Sequence, residues 1–407
     1  MGQTVLFLEW HSFGNEYMID ALQTKGFEVV RFWLDREKED VRRGTKPTED
    51  ILKKILEVGP DFVFSFNYFP VAAIACKAAK KKYVSWVYDS PFIMVYSQTV
   101  LYDTNRIFLF DSQEVKRLRA LGCENAYYMP MAAACRQYDR CVPGVAEHQK
   151  YDCDVAFIGS MYSETHQHMF RHLEDLDAYT KGFLYGIMEA QKNLYGVDIL
   201  EPSLMASPHI VKSMEEVCPV TAQGDGLETV EWTFANYFLA RKVTAMERSQ
   251  IMKLLSDKVL LQTKAAAQNG DAPWKVCLYT PEQTDAYPGI LCEGKLDYYK
   301  DAPYAIKCAK INLNISLRSI HSGMPLRVMD LMGCGGFVLT NYQADFMQHF
   351  VPGEDFVYYE TIDQIPQLIE YYLTHENERL AIAHNAYRKV KEQFSYARQL
   401  EKMLEII

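Results

Sequence analysis

Hydrophobic and polar positions follow an alternating strand and helix rhythm at both ends of the chain, separated by a long stretch of purely helical spacing. Near the N-terminus, short and continuously apolar runs predict strands at Thr4 to Glu9, Phe27 to Trp33, Asp61 to Phe66, Tyr83 to Tyr88, Arg106 to Phe110 and Ala126 to Met129. Between them, Asn15 to Lys25, Thr48 to Val58 and Pro70 to Lys81 have helical periodicity. Gly26 ends the first of these and Gly59-Pro60 the second. Apolar strands without polar alternation, separated by helices, predict a parallel sheet covered on both faces. Residues 1–135 are therefore expected to form a doubly wound α/β domain.

Residues 136–152 turn polar around Pro143-Gly144 and read as an interdomain linker. Asp154 to Ile158 starts a second sheet. From Ser163 to about Gln268 nearly every window has helical spacing, including Glu228 to Leu255, which is far beyond an ordinary βα crossover. The rhythm then resumes, with strands predicted at Lys275 to Tyr279, Ile290 to Leu296, Ile311 to Ile315, Phe337 to Thr340 and Asp355 to Tyr358. Helices are predicted at Leu326 to Met332, Ile362 to Leu373 and Glu376 to Ile407. Residues 153–390 thus read as a second α/β domain carrying a helical insertion at about 163–268, and 391–407 as a C-terminal helix packing back towards the first domain. Two wound sheets side by side leave a cleft between their strand C-termini, where ligands of such sheets bind.

Composition acts mainly by exclusion. The 407 residues are too many for one core, and 49% hydrophobic with 24% charged is an ordinary globular mixture. A formal net charge of -10 argues against nucleic-acid and anionic-membrane partners. The short basic clusters Lys80-Lys81-Lys82 and Arg42-Arg43 read as solvated faces. No apolar run approaches the roughly 20 residues that span a bilayer, so no transmembrane segment is expected. Met1 to Trp10 has no basic leader, so no signal peptide is expected either. The ten cysteines form no CxxC pair and several, such as Cys76, Cys277 and Cys334, sit in apolar runs, which suits a reducing, cytoplasmic location. His168 and His172 share a helical face near His166, but no acidic partner completes a metal pattern, and no metal site is expected.

The densest chemical signal runs from Ile311 to Thr340. A strand ends near Ser316, a loop holds His321, Ser322 and Gly323, and Pro325 and Leu326 open a helix that closes at Gly335-Gly336. The start of such a helix presents unpaired N–H groups and positive partial charge, which suits a diphosphate. Arg327 adds a charge-assisted fork, and Asp330, on the same face, can accept ribose hydroxyls.

This stretch resembles the donor-binding motif of GT-B glycosyltransferases, and most closely that of the CgeB-like, spore-maturation type. The resemblance continues through Gly353-Glu354-Asp355, Tyr371-Tyr372-Leu373, Glu378-Arg379 and Ser395-Tyr396-Ala397-Arg398. Upstream it takes in Asp154 to Ser160, Trp10 to Asn15 and Trp86 to Pro91, the last two matching the family's companion N-terminal domain. It implies that Gly159 and Ser160 approach the donor, that Tyr298 and Tyr299 sit where the base is held, and that His11, Ser12, Phe13, Gly14 and Asn15 meet the acceptor. One departure stands out. Many retaining GT-B enzymes place two glutamates eight positions apart around this helix; here the second falls on Asp330 and the first on Ser322.

Asn67, Tyr68, Tyr88, Asp89 and Ser90 follow later strands of the first sheet and are expected on the same acceptor wall. Asp89 is the leading candidate for the base that the acceptor hydroxyl needs, with His11 as a second and Asp111 as a weaker alternative. The expectation is a cytoplasmic, metal-independent glycosyltransferase. Its co-substrate would be a nucleotide diphosphate sugar, and its acceptor a glycan, protein or small molecule. A nucleotide-sugar epimerase of the same architecture and a non-catalytic sugar- or nucleotide-binding partner protein are the alternatives.

Overall fold

The computed structural model describes residues 2–163, 172–220, 224–270, 272–282 and 284–407. Six strands form the first sheet: β1 (Thr4–Glu9), β2 (Glu28–Trp33), β3 (Phe62–Phe66), β4 (Lys82–Val87), β5 (Asn105–Leu109) and β6 (Ala126–Tyr128), in the order β2-β1-β3-β4-β5-β6. Six more form the second: β7 (Cys153–Ile158), β8 (Val276–Tyr279), β9 (Leu291–Cys292), β10 (Ala309–Asn314), β11 (Val338–Asn341) and β12 (Val357–Tyr359), in the order β12-β11-β10-β7-β8-β9. Every pairing is parallel. The central strands are buried as their apolar runs require: every residue of β3, and Tyr83 to Val87 of β4, lie inside. The protein is an α/β chain of two wound domains.

Several elements differ from the expected ones for local reasons. The strand expected over Ile290 to Leu296 shrinks to Leu291–Cys292, because Gly294 turns the chain at φ 77°. The linker carries two helices, Cys135–Tyr138 and Val145–Tyr151. The final helix is two, Glu376–Gln393 and Tyr396–Leu404, with Ser395 extended between them and its Oγ accepting from the Arg398 N–H at 3.4 Å. The second piece packs on the Asn15–Thr24 helix of the first domain, where Lys25 pairs with Glu401 at 2.5 Å.

The two halves share one apolar cluster. Val328, Met329 and Met332 of the second domain join Met131, Ala133 and Tyr138 of the connection and Tyr396 and Leu400 of the last helix. The insertion has its own core, built on Leu184, Met188, Leu204, Met214, Phe234 and Leu239. Its last part runs from Val230 through a π-helical turn at Phe234–Leu239 into the Ala240–Asn269 helix. It is also bonded to the first domain. Gln98 N–H donates to Asp225 O at 2.7 Å, Leu227 N–H donates to Tyr96 O at 2.6 Å, and Arg42 pairs with Glu228 at 3.2 Å with both side chains buried. Among the described residues no helix is long and apolar enough to cross a membrane. All ten cysteines are free thiols.

Candidate active site in the interdomain cleft

The helix expected to open the donor site spans Leu326–Gly333. Pro325 precedes it in extended conformation, at ψ 150°, so the first helical residue is Leu326 and not the proline. No side chain caps this end. Arg327, one position in, buries an Nη1 that has no hydrogen-bond partner among the described residues and lies 3.7 Å from Asp330 Oδ2. Asp330 is 3% exposed and accepts from Tyr138 at 2.7 Å and from Tyr298 at 2.9 Å. Burial pushes its carboxyl up to about 6, against the opposing effects of Arg327 and the two hydroxyls. Both oxygens of Asp330 are therefore engaged, and a ribose reaches them only if Tyr298 swings away.

Tyr298 and Tyr299 do not frame an open base pocket. The Tyr298 ring lies 4.6 Å from that of Phe13 across the cleft, and Tyr299 Oη accepts from the Gly14 N–H at 3.2 Å. The Gly14 turn has φ 87°, and a Cβ there would collide with the Tyr396 hydroxyl. Ser12 donates to Asn15 Oδ1, and Asn15 Nδ2 donates to Trp10 O at 2.9 Å. These two residues, both buried, shape the loop and do not face the cleft.

Ser322 and Gly323 are corrected as well. Ser322 is 1% exposed, and its hydroxyl donates to Asp111 Oδ1 of the first domain at 2.7 Å. Asp111 also accepts from the N–H groups of His321 and Ser322, at 2.7 and 3.1 Å. In return, Asp345 of the second domain accepts from Ser112 N–H at 2.9 Å and from Ser112 Oγ at 2.6 Å. Each domain thus gives a carboxylate to a serine of the other. Gly323 is small for the same reason: a Cβ there would sit 2.8 Å from Phe110. The loop abuts the partner domain where a phosphate was expected.

On the acceptor wall Asn67 adopts φ 57°, which turns its side chain to the end of β4. Its Nδ2 donates to Asp89 Oδ2 at 2.7 Å, and its Oδ1 accepts from the N–H groups of Tyr88 and Asp89. That turn sends Tyr68 inward, fully buried and bonded to Thr99 at 2.8 Å, so Tyr68 does not line the cleft. Among the described residues nothing bonds to Asp89 Oδ1, and burial raises its carboxyl above the usual range. Tyr88 Oη accepts from Phe13 N–H at 3.3 Å, and Ser90 Oγ donates to Ser319 O across the cleft at 2.9 Å. A small pocket opens between Asp89, Asp111, Glu114, Ser319, Trp232 and Asn236. His11 lies on the other side of the loop, its ring 4.6 Å from Trp33.

The remaining donor-side residues are tied down at strand ends. Ser316 is buried; its N–H donates to Asn341 and its hydroxyl accepts from Asn314. His321 Nε2 is 3.0 Å from Asn236 Oδ1. Ser160 donates to Glu282 at 2.6 Å, and a Cβ on Gly159 would lie 3.6 Å from Arg248. Arg248 and Glu282 escaped the sequence reading, as did Trp232 and Asn236. Arg248 is a buried cation whose guanidinium donates to the Ser160 and Ile315 carbonyls, bracing the ends of β7 and β10. Its one signal was a basic residue on the apolar side of a long helix. His166 and His168 lie outside the described residues; His172 bonds to Asp175 at 3.2 Å. Between linker and second domain, His148, Asp152 and Cys308 bring potential ligand atoms within 4.8 Å of one another.

Residues 262–405 match the family described as "Glycosyl transferase-like". No curated protein matches the sequence. Among solved structures the chain is similar to a UDP-forming α,α-trehalose-phosphate synthase from Burkholderia xenovorans (10% identity, TM-score 0.56, covering 100% of this chain and 98% of that one). It is similar to a sucrose-phosphate synthase from Thermosynechococcus elongatus (11%, 0.53, 99% and 98%). It is also similar to Alr3699/HepE of Anabaena in complex with UDP-glucose (11%, 0.52, 99% and 100%). With both sheets, their order and the full length of the chain covered, the protein has the two-domain GT-B glycosyltransferase fold.

Proposed function

We propose that the protein transfers a sugar from a nucleotide diphosphate sugar to an acceptor held against the first domain, as an enzyme of the CgeB-like type. The observation that carries this reading is the uncapped start of the Leu326–Gly333 helix beside a buried Arg327 nitrogen that lacks an acceptor. A diphosphate supplies both missing partners: backbone N–H groups and the helix end take its oxygens, and Arg327 neutralises the charge that grows as it leaves. No metal is needed for that task in this reading. Two of the similar structures are a UDP-forming synthase and a complex with UDP-glucose, which makes UDP-sugars the first donors to test.

In the proposed step the acceptor hydroxyl attacks the anomeric carbon of the donor. The bond from that carbon to the diphosphate breaks, and the hydroxyl proton passes to Asp89. Asn67 holds Asp89 Oδ2 at 2.7 Å, which leaves Oδ1 to receive the proton. A carboxyl raised by burial is a better base than an exposed one. Asp330 takes the ribose hydroxyls once Tyr298 moves.

Calorimetric titration of UDP, GDP, dTDP and ADP into the wild type and Arg327→Ala tests the donor site. One nucleotide is expected to bind, and the variant to bind it at least about tenfold more weakly, the equivalent of one charge-assisted contact. Equal affinity in the two proteins removes Arg327 from the donor site.

A further inference from the structure

A second space lies at the outer end of the cleft, separate from the pocket at Asp89. It is an open groove of about 500 Å³ at the C-terminal ends of β1 and β2, bounded by Trp10, His11, Trp33, Asp35, Arg36 and Glu37. β1 and β2 pair so that Glu9 is opposite Trp33, which places the indole at the strand edge where wound sheets bind ligands. Trp33 is 48% exposed, although it is the largest side chain available for burial. Its ring is steadied by His11, edge-on at 4.6 Å and 72°. Opposite, the Arg36 guanidinium lies 4.1 Å over the Trp10 ring, and that Trp10 is fixed by its own bond to Phe66 O at 2.8 Å. No hydrogen bond engages the Arg36 guanidinium among the described residues, so its N–H groups are available to a ligand.

A flat indole presented to water, next to fixed polar donors and acceptors, suits a ligand with one apolar face and a rim of hydroxyls. A pyranose ring is such a ligand: its C–H face covers the indole, and its hydroxyls meet Arg36, His11 and Glu37. Arg36 joins the two spaces, since its charge acts on Asp89 as well as on Trp10. A groove whose cation reaches the carboxylate of the neighbouring pocket fits a molecule that extends from one space into the other.

We infer that the Trp10–Trp33 groove is a saccharide subsite of the acceptor: the acceptor is an oligosaccharide or glycoside, with one ring stacked on Trp33 and the reactive unit at Asp89. This rests on the transferase reading and adds the acceptor's chemical class and its platform residue to it.

The test uses the full chain with saturating UDP and a panel of maltose, cellobiose, lactose and chitobiose. Tryptophan fluorescence and saturation-transfer NMR would be read on the wild type, Trp33→Ala, Trp33→Phe and His11→Ala, each first checked for an unchanged circular dichroism spectrum. At least one disaccharide is expected to quench the wild type. Trp33→Ala should raise its dissociation constant tenfold or more, Trp33→Phe should recover most of the loss, and His11→Ala should lie between. A disaccharide that binds Trp33→Ala as it binds the wild type overturns the assignment. So does a panel in which none binds while UDP does, because the groove then recognises something other than sugar. If UDP itself fails to bind, the donor reading fails, which the UDP titration shows independently of any saccharide signal.

Discussion

Asp330 offers a quantitative test of the closed arrangement. It is a fully buried carboxyl between two tyrosines, raised from 3.8 to about 6. A rise of roughly 2 units corresponds to about 3 kcal/mol between its two protonation states. The sign follows from linkage. Between the unfolded and folded values the folded chain holds a proton that the unfolded chain has released, so stability falls as pH rises through that window. The contribution is fully present below pH 3.8 and gone above about 6. Asp330→Asn cannot titrate, so its stability lacks this component. The difference between wild type and variant should therefore move by about 2–3 kcal/mol in the variant's favour from pH 4 to pH 8, whatever the substitution costs at a single pH. Over 407 residues, an unfolding entropy of about 2 cal/mol/K per residue converts this to a relative shift of roughly 3 °C. Thermal melts of both proteins at half-unit pH steps supply the assay. Parallel profiles across pH 4–8 would mean that Asp330 is solvated or firmly ion-paired with Arg327, and would refute the burial argument.

Three further variants test named contacts. Ser322→Ala removes the hydroxyl shared by Asp111 and Asp345, leaves two carboxylates short of a donor, and should cost about 1–3 kcal/mol in denaturant titration. The same variant should increase the radius of gyration in small-angle scattering, since the clamp closes the cleft. Arg42→Ala strands Glu228 inside the joint between insertion and first domain, and should cost about 3–5 kcal/mol and expose the 224–230 segment to proteolysis. Asp89→Asn should lower turnover by roughly 10²–10⁴ with donor affinity unchanged; wild-type turnover in that variant rules Asp89 out as the base.

Much of the architecture was legible because the central strands are apolar runs, and β3 and β4 are buried wherever that pattern says they should be. Boundaries failed where one residue's backbone decided the matter. Gly294 at φ 77° cut a strand short, and Ser395 split the last helix. Site residues read from strand ends met the same difficulty. Asn67 and Tyr68 are neighbours, yet a left-handed Asn67 sends one to Asp89 and the other into the core. The Ser322-Gly323 loop was legible as the entry to a helix, but a sequence does not say what that loop packs against; here it is Phe110 and Asp111 across the cleft. Arg248 and Asn236 were hidden in the insertion, whose helical pattern gives no sign that Arg248 returns to the end of β10 or that Asn236 lines a pocket with the ends of β4 and β5.

The most direct test of the transferase reading is product mass. The protein would be incubated with UDP-glucose, UDP-galactose or UDP-N-acetylglucosamine and a disaccharide acceptor, and the mixture read by mass spectrometry alongside released UDP. The account predicts an acceptor heavier by one glycosyl unit, formed in step with UDP, and lost in Asp89→Asn. UDP binding with no heavier product and no released UDP for any donor and acceptor would contradict it and leave a nucleotide-binding protein without transfer activity; donor converted to an isomer with no acceptor present would make it an epimerase.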